Sequence, residues 1–306
     1  MLALHAALVK GFFAEEGLSV QGLTIQLRPA VEQGKSPSLW VKTDAGLSEA
    51  DFGFLEIAQL HSLAAGTIEY YIVDGMNFGC NQVMVPPDSP MQSAADLKGK
   101  TIALGPEWGT AFRPPGFPSY VNEELKAHGL DPAKDVTRVL IPWEALPKLN
   151  DYVAEGFKTG KFDAVVTSEP VPLLMRQQKL ARPLFTQIYQ PPGNQEYCCV
   201  LVIKRSVVDR QPDKAALIVR AFRRAKQWVA QDPRRAVIAA QAAGYYSAAA
   251  PVEPSANAAV AIYGSDRQVD LASMLERAFQ AGMDSGLIRT SKTAKELVRL
   301  HYRKIE

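Results

Sequence analysis

Strand-like and helix-like segments alternate along most of this chain, and one proline-rich cluster interrupts them: Pro86-Pro87-Asp88-Ser89-Pro90. Such alternation predicts parallel sheets with helices on both faces. The cluster breaks the pattern and marks a passage between two folding units. Before it, residues 4–16 carry apolar side chains at helical spacing, and Gly17 follows as a C-cap. SVQGLTIQLRPA (19–30) reads as a strand with Gly22 as a bulge or bend, and residues 36–47 as a short helix. ADFGFL (50–55) is a strand, IAQLHSLAAG (57–66) a helix ending at Gly66, and TIEYYIVDGM (67–76) and NQVMVP (81–86) are strands.

After the cluster the pattern resumes. KTIALG (100–105), VTRVLIP (136–142) and FDAVVTS (162–168) read as strands of one sheet. Helices through SYVNEELKAHGL (119–130), ALPKLNDYVAEGFKTG (145–160) and a segment reaching Lys179 separate them. PLFTQIYQPPG (183–193) then returns toward the first unit, where EYCCVLVIK (196–204) forms a strand with ADFGFL. From Pro212 the chain is mostly helical, with APVEPSANAA (250–259) as an exposed loop. The expected fold class is α/β with two lobes. One lobe comprises residues 1–85 plus 191–306 with the C-terminal helices, the other residues 86–190. Two crossings connect them and permit hinge closure.

At 306 residues the chain can bury a sizeable core. Its 47% hydrophobic and 22% charged residues are those of an ordinary globular protein. The net charge of +2, with no basic stripe interleaved with aromatics, argues against a nucleic-acid partner. No apolar run approaches the roughly 18 residues of a membrane span. The start, MLALHAALVKGFF, lacks a basic region and a cleavage site. Cys80, Cys198 and Cys199 are an odd number and make no disulfide framework. As strand neighbours, Cys198 and Cys199 point to opposite faces, and burial is their expected fate. No Cys/His spacing matches a zinc site, so neither metal nor cofactor is expected.

Several stretches together resemble a known family. DLKGKTIAL (96–104) follows MVPPDSPMQSAA and precedes GPEWGTA (105–111) and KTGKFDAVVTSEP (158–170). AALVKGFFAEEGLSV (6–20), EADFGFLEIAQLHSLAAG (49–66) and QPDKAALIVRAFRRAKQWVAQDPRRAVIAA (211–240) fit the same pattern. The order resembles the substrate-binding proteins of ABC importers in the nitrate/sulfonate/taurine and thiamine-precursor group, over residues 3–245. The resemblance implies a periplasmic-binding-protein fold of type II. It also implies a monomer that captures a small polar organic molecule or oxyanion in an interlobe cleft and hands it to a permease and its ATPase. An extracytoplasmic location follows from the family. So does an expectation that a strand and an export signal precede Met1.

Ligands of open α/β sheets bind beyond the carboxyl ends of strands, where helix N-termini present free N–H groups. Four such junctions occur here. His5, at the first helix, offers a hydrogen bond or a charge. Glu56 follows the ADFGFL strand, where it suits an amino or ring N–H group or stabilises a helix start. Trp108, Gly109 and Thr110 follow KTIALG and offer a stacking surface, backbone N–H groups and a hydroxyl. Thr110 is the best local signal. The prolines of FRPPGFP (112–118) depart from the family pattern and reshape this wall, with Arg113 as a possible cation. Glu169 follows FDAVVTS; with Pro170 in the first helical turn, Glu169 or Ser168 sits at the N-cap. Tyr197 either closes the cleft or packs in the core; Cys80 and Asn81 are weaker candidates.

The chain has no Gly-x-Ser-x-Gly elbow, no Walker A loop and no Gly-x-Gly-x-x-Gly, and its four histidines are scattered. A binding protein that catalyses nothing is therefore the expectation. The alternatives are a cytosolic enzyme of the yeast pyrimidine-synthase type, which shares the fold and carries a longer cysteine run, and a sensor module. Acidic residues at 56, 107 and 169 make a nitrogen-bearing solute such as a pyrimidine at least as good a fit as a sulfonate or nitrate.

Overall fold

The computed structural model describes residues 2–23, 40–42, 51–66, 68–79, 81–105, 119–191, 193–264 and 269–306. In chain order its elements are α1 (Leu2–Val9), α2 (Phe12–Glu15), β1 (Gln21–Leu23), β2 (Trp40–Lys42), β3 (Phe52–Glu56), α3 (Leu60–Ala64) and β4 (Tyr70–Phe78). There follow β5 (Asn81–Val85), β6 (Thr101–Leu104), α4 (Ser119–Ala127), β7 (Thr137–Leu140), α5 (Leu149–Lys158), β8 (Ala164–Ser168), α6 (Val171–Gln177) and β9 (Arg182–Thr186). The chain ends with β10 (Tyr197–Lys204), α7 (Arg205–Arg210), α8 (Pro212–Gln231), α9 (Pro233–Ala242), α10 (Val252–Tyr263), α11 (Leu271–Asp284) and α12 (Ala294–His301). Two compact units result. The first holds residues 1–79, 195–248 and 252–306, the second residues 80–194 and 249–251.

The first unit is built on a five-stranded sheet of order β1-β2-β3-β10-β4. Every pairing in it is antiparallel, against the expectation of parallel sheets. The β3–α3–β4 segment is nevertheless a β-α-β unit, because β3 and β4 both oppose β10 and so run the same way. β10 has inserted between them. Its apolar run, Cys198–Ile203, is buried throughout, as befits a strand covered on both faces. Helices α11 and α12 seal one face through Leu275, Phe279 and Leu297 against Leu55, Ile72, Val200 and Val202. The start of α12 is held by a capping box: Thr293 N donates to Glu296 Oε2 at 2.7 Å and Glu296 N to Thr293 Oγ1 at 3.2 Å. Helix α1, apolar on all sides, packs on α8 and α9.

The second unit repeats the device. Its sheet has the order β7-β6-β8-β5-β9. β6 is parallel to β7 and to β8, as expected for KTIALG, VTRVLIP and FDAVV. β5 is antiparallel to both β8 and β9, so it is the strand inserted into the β8–α6–β9 unit. A lobe boundary at residue 85 would leave this strand in the first unit; its ladder partners place it in the second. Met84, Ala103, Val153, Phe162, Val165 and Met175 form the core here. Gly156 in α5 is required by close approach, since a Cβ there would lie 2.1 Å from Phe162 Cζ.

Other local expectations are corrected. Residues 250–259 are no loop: α10 begins at Val252 and buries Ser255, Ala256, Ala258 and Ala259. Pro254 falls in its first turn, where a missing N–H breaks no helical bond. Within 36–47, the described residues 40–42 form β2 instead of a helix. Gly22 pairs in register with Val41, so it is no bulge.

Candidate functional site

In the second unit, β6 ends at Leu104 and β8 at Ser168, while the antiparallel β5 begins beside them at Asn81. β9, parallel to β8, ends on the same edge at Thr186, opposite Gln82. This carboxyl edge is where open α/β sheets take their ligands. Polar side chains are buried on it: Asn81 is 6% exposed, Gln82 0% and Thr167 9%. Asn81 Nδ2 donates to Gln187 Oε1 at 3.4 Å, and Gln187 N to the Asn81 carbonyl at 3.0 Å.

Glu169 stands at the centre of this edge. Its side chain is only 5% exposed. Gln82 Nε2 donates to Glu169 Oε1 at 2.6 Å, and Arg176 Nη2 donates to the same oxygen at 3.3 Å. A carboxylate withdrawn from water requires such partners. The N-cap role expected for Glu169 or Ser168 is not found. Helix α6 starts at Val171 with Pro170 at the N-cap and no side-chain capping bond. Glu169 reaches the neighbouring strand and one turn down the helix instead. Half-exposed Tyr189 shares this field; burial and then the Glu169 charge raise its phenol above the ordinary range, and Arg176 opposes them.

The carboxylate only accepts hydrogen bonds, so the Gln82 amide is oriented with its NH₂ toward Glu169. Gln82 Oε1 is then a buried carbonyl with no hydrogen-bond partner. The first unit holds a parallel case at the end of β4. Asn77, 2% exposed, donates through Nδ2 to the Phe78 carbonyl at 2.9 Å, and its Oδ1 is buried without a partner.

The other predicted residues are placed as follows. Glu56 ends β3 and forms a capping box with Gln59 over the turn that follows, Glu56 N donating to Gln59 Oε1 at 3.3 Å. Tyr197, at the start of β10, packs within its own unit. Its ring stacks on Phe78 at 4.8 Å and covers Gly75, where a Cβ would meet it at 2.2 Å. Lys226 Nζ lies 5.3 Å over that ring and 3.6 Å from Asp74. Burial lowers the Lys226 ammonium, against the raising effect of Asp74.

His5 is inside α1, not before it, and 6% exposed. Its ring stacks on Tyr245 at 4.8 Å, and Nδ1 has no hydrogen-bond partner. Burial presses its pKa down to about 3, so it is neutral and supplies no charge to a ligand. Trp108, Gly109 and Thr110 lie outside the described residues, as do Cys80, Glu107 and Arg113. Cys198 and Cys199 are buried, as expected.

Gln82, Arg176, Tyr189 and Asn77 went unread in the sequence. For Gln82 a signal was present: a polar pair, Asn81-Gln82, opens an otherwise apolar strand. Arg176 and Tyr189 carry no local mark. Among the described residues, no three His, Cys, Asp or Glu side chains are grouped to hold a metal ion, and no helix is long and apolar enough to cross a membrane.

The family model described as NMT1/THI5 like matches residues 1–236. The chain belongs to this NMT1/THI5-like family. No curated protein sequence matches the chain. Solved structures similar to it include the periplasmic nitrate-binding protein NrtA from Synechocystis PCC 6803 (TM-score 0.73, 15% identity, 99% of this chain and 83% of that one). The alkanesulfonate-binding protein SsuA from Xanthomonas axonopodis pv. citri, bound to MOPS, is also similar (0.61, 17%, 83% and 81%). So is the desulfurization enzyme DSZB (0.62, 17%, 97% and 94%). At these identities the likeness establishes the fold, a periplasmic-binding-protein-like α/β architecture that serves solute-binding proteins and an enzyme alike.

Proposed function

We propose that this NMT1/THI5-like protein is the solute-binding component of an ABC importer, working outside the cytoplasm with a permease and its ATPase. Its solute docks at the carboxyl edge of the second unit's sheet. The observation that carries this reading is the buried polar group of Gln82, Glu169 and Arg176 beside Tyr189. Such a group on a strand edge is expensive to bury and has no evident structural purpose that an apolar set would not serve better. Thr110, Gly109 and Trp108 follow β6, the strand beside β8, and are proposed as further contacts; Glu56, at the end of β3 in the first unit, is the alternative contact. Tyr197 is proposed as a packing residue at the start of β10, and neutral His5 as a packing residue of α1.

Two features favour a nitrogen-bearing organic solute, such as a pyrimidine-type thiamine precursor, over nitrate or a sulfonate. Gln82 Oε1 is an oriented acceptor that wants an N–H donor, which an oxyanion lacks. Glu169 already neutralises Arg176, so the group offers an anion no net positive charge.

Native mass spectrometry of the protein as purified, followed by calorimetric titration with the solute found and with nitrate and taurine, tests the reading. We expect one nitrogen-bearing molecule per chain, recovered unchanged. Conversion of that molecule on incubation would favour an enzyme, the role DSZB has on this fold. Binding of nitrate or taurine alone would leave a binding protein but overturn the ligand class.

A further inference from the structure

At the other end of the first unit's sheet, two guanidinium groups share one aromatic ring. Tyr71 stands at the start of β4, about 20 Å along the strand from Asn77 and from the edge described above. Arg205 and Arg303 each hold Cζ 4.4 Å from the centroid of the Tyr71 ring. Two like charges that share one ring repel, and a carboxylate usually offsets them. Here neither arginine makes an ion pair with any described residue.

Neutral groups fix both arginines instead. Arg205 Nη2 donates to the Leu300 carbonyl at 3.0 Å and to His301 Nδ1 at 2.9 Å. Arg303 Nη1 donates to the carbonyls of Arg299 at 2.6 Å and Tyr302 at 2.9 Å, and its Nη2 reaches the Tyr71 hydroxyl at 3.5 Å. The backbone beneath is anchored too: Arg303 N donates to the Ile72 carbonyl at 2.9 Å, and Tyr302 bridges to Ile72. Carboxylates on the same segments are committed elsewhere: Glu296 to the Thr293 cap, Glu306 to Lys304, and Asp74 on β4 to Arg223 and Lys226. What results is a pair of immobilised, uncompensated cations with N–H groups to spare. Its positive field registers on buried His301, whose pKa falls to about 4 through burial and then through Arg205, Lys292 and Arg303.

We propose that Arg205 and Arg303 form a binding site for a tetrahedral oxyanion, phosphate or sulfate, on the first unit and separate from the solute edge. Guanidinium forks match phosphate geometry, and groups already pinned lose little freedom on binding. The bound anion would offset two charges that otherwise oppose each other. His301, one bond away from Arg205, reports on it.

The experiment is a titration of the full chain, labelled at its four histidines, with inorganic phosphate and sulfate followed by NMR. Sodium chloride at matched ionic strength is the control. We expect saturable shifts of the His301 ring at millimolar phosphate and a rise in its titration midpoint. Arg303→Gln should weaken the phosphate response at least tenfold while solute binding is unchanged. Drift no larger than that caused by chloride overturns the site. So does a response of full strength in both Arg303→Gln and Arg205→Gln. Should either variant fail to fold, the comparison of phosphate with chloride on the unaltered chain still decides.

Discussion

Removing one side chain separates the binding role of Glu169 from its structural one. Glu169→Ala leaves Gln82 Nε2 and Arg176 without their shared acceptor. Losing hydrogen bonds to a buried charge costs about 1.5–3 kcal/mol each at most, and Arg176, 31% exposed, recovers part of its share from water. We therefore expect a fall in melting temperature of several degrees together with a loss of solute affinity of tenfold or more. A stability loss with unchanged affinity, measured by melts and calorimetry, would make the group a structural one. Two histidines set a different expectation. His5 and His301, ordinarily near 6.5, are pressed to about 3 and about 4 in the folded chain, chiefly by burial. The unfolded chain then binds protons that the folded one refuses, so stability is complete above about pH 6.5 and lost as pH falls toward 4. Melting temperature should drop across that window, and His5→Phe should flatten the drop. A flat profile in the unaltered protein would show that these rings are not buried as described.

Among the elements, β4 and β10 depend on a single missing Cβ. Gly75 faces the Tyr197 ring so closely that an alanine Cβ would lie 2.2 Å from it. Gly75→Ala must push the ring off Phe78 and out from under Lys226, so a loss of about 1–3 kcal/mol is expected. Combined with Tyr197→Leu, the same change should cost much less than the two separate losses together, because the clash partner is gone. Simple additivity in urea melts would refute this packing. Element identity was largely legible in the sequence: KTIALG, VTRVLIP and FDAVV do share a sheet, and Gly66 and Gly129 do end helices, both at positive φ. Strand direction was not. ADFGFL and TIEYYIVDGM read as a parallel pair, while PLFTQIYQPPG, read as a return to the first unit, supplies part of β9 in the second sheet, and nothing local says that β10 and β5 will insert into these β-α-β units. The misread loop at 250–259 has a plainer cause. Pro251 and Pro254 look like breakers until the helix start at Val252 puts Pro254 in the one turn that tolerates it.

On the scale of the whole molecule, each chain crossing delivers a strand that inserts antiparallel into a β-α-β unit: β5 into the second sheet, β10 into the first. Both inserted strands begin at the carboxyl edge of their sheet, and so their first residues, Asn81-Gln82 and Tyr197-Cys198, are brought to the ends of β8 and β3. This explains which parts of the site could be foreseen. Glu56 and Glu169 close their own strands and are visible from local pattern. Gln82 becomes a neighbour of Glu169 only through the pairing of β5 with β8, segments far apart in the chain. The same topology localises the consequence of binding. A solute that binds only the folded state stabilises it by about 2.7 kcal/mol at a hundredfold excess over Kd. Where that stabilisation is felt depends on where the solute sits. If it sits beside Glu169, amide hydrogen exchange should slow most in 81–85 and 164–169, the paired strands that carry Gln82 and Glu169, with Glu169→Ala abolishing the effect. Mass spectrometry of exchanged peptides with and without the co-purified solute measures this directly. Protection confined to β3, β4 and β10, with 81–85 unchanged, would move the docking site to the first unit, to Glu56 and Asn77.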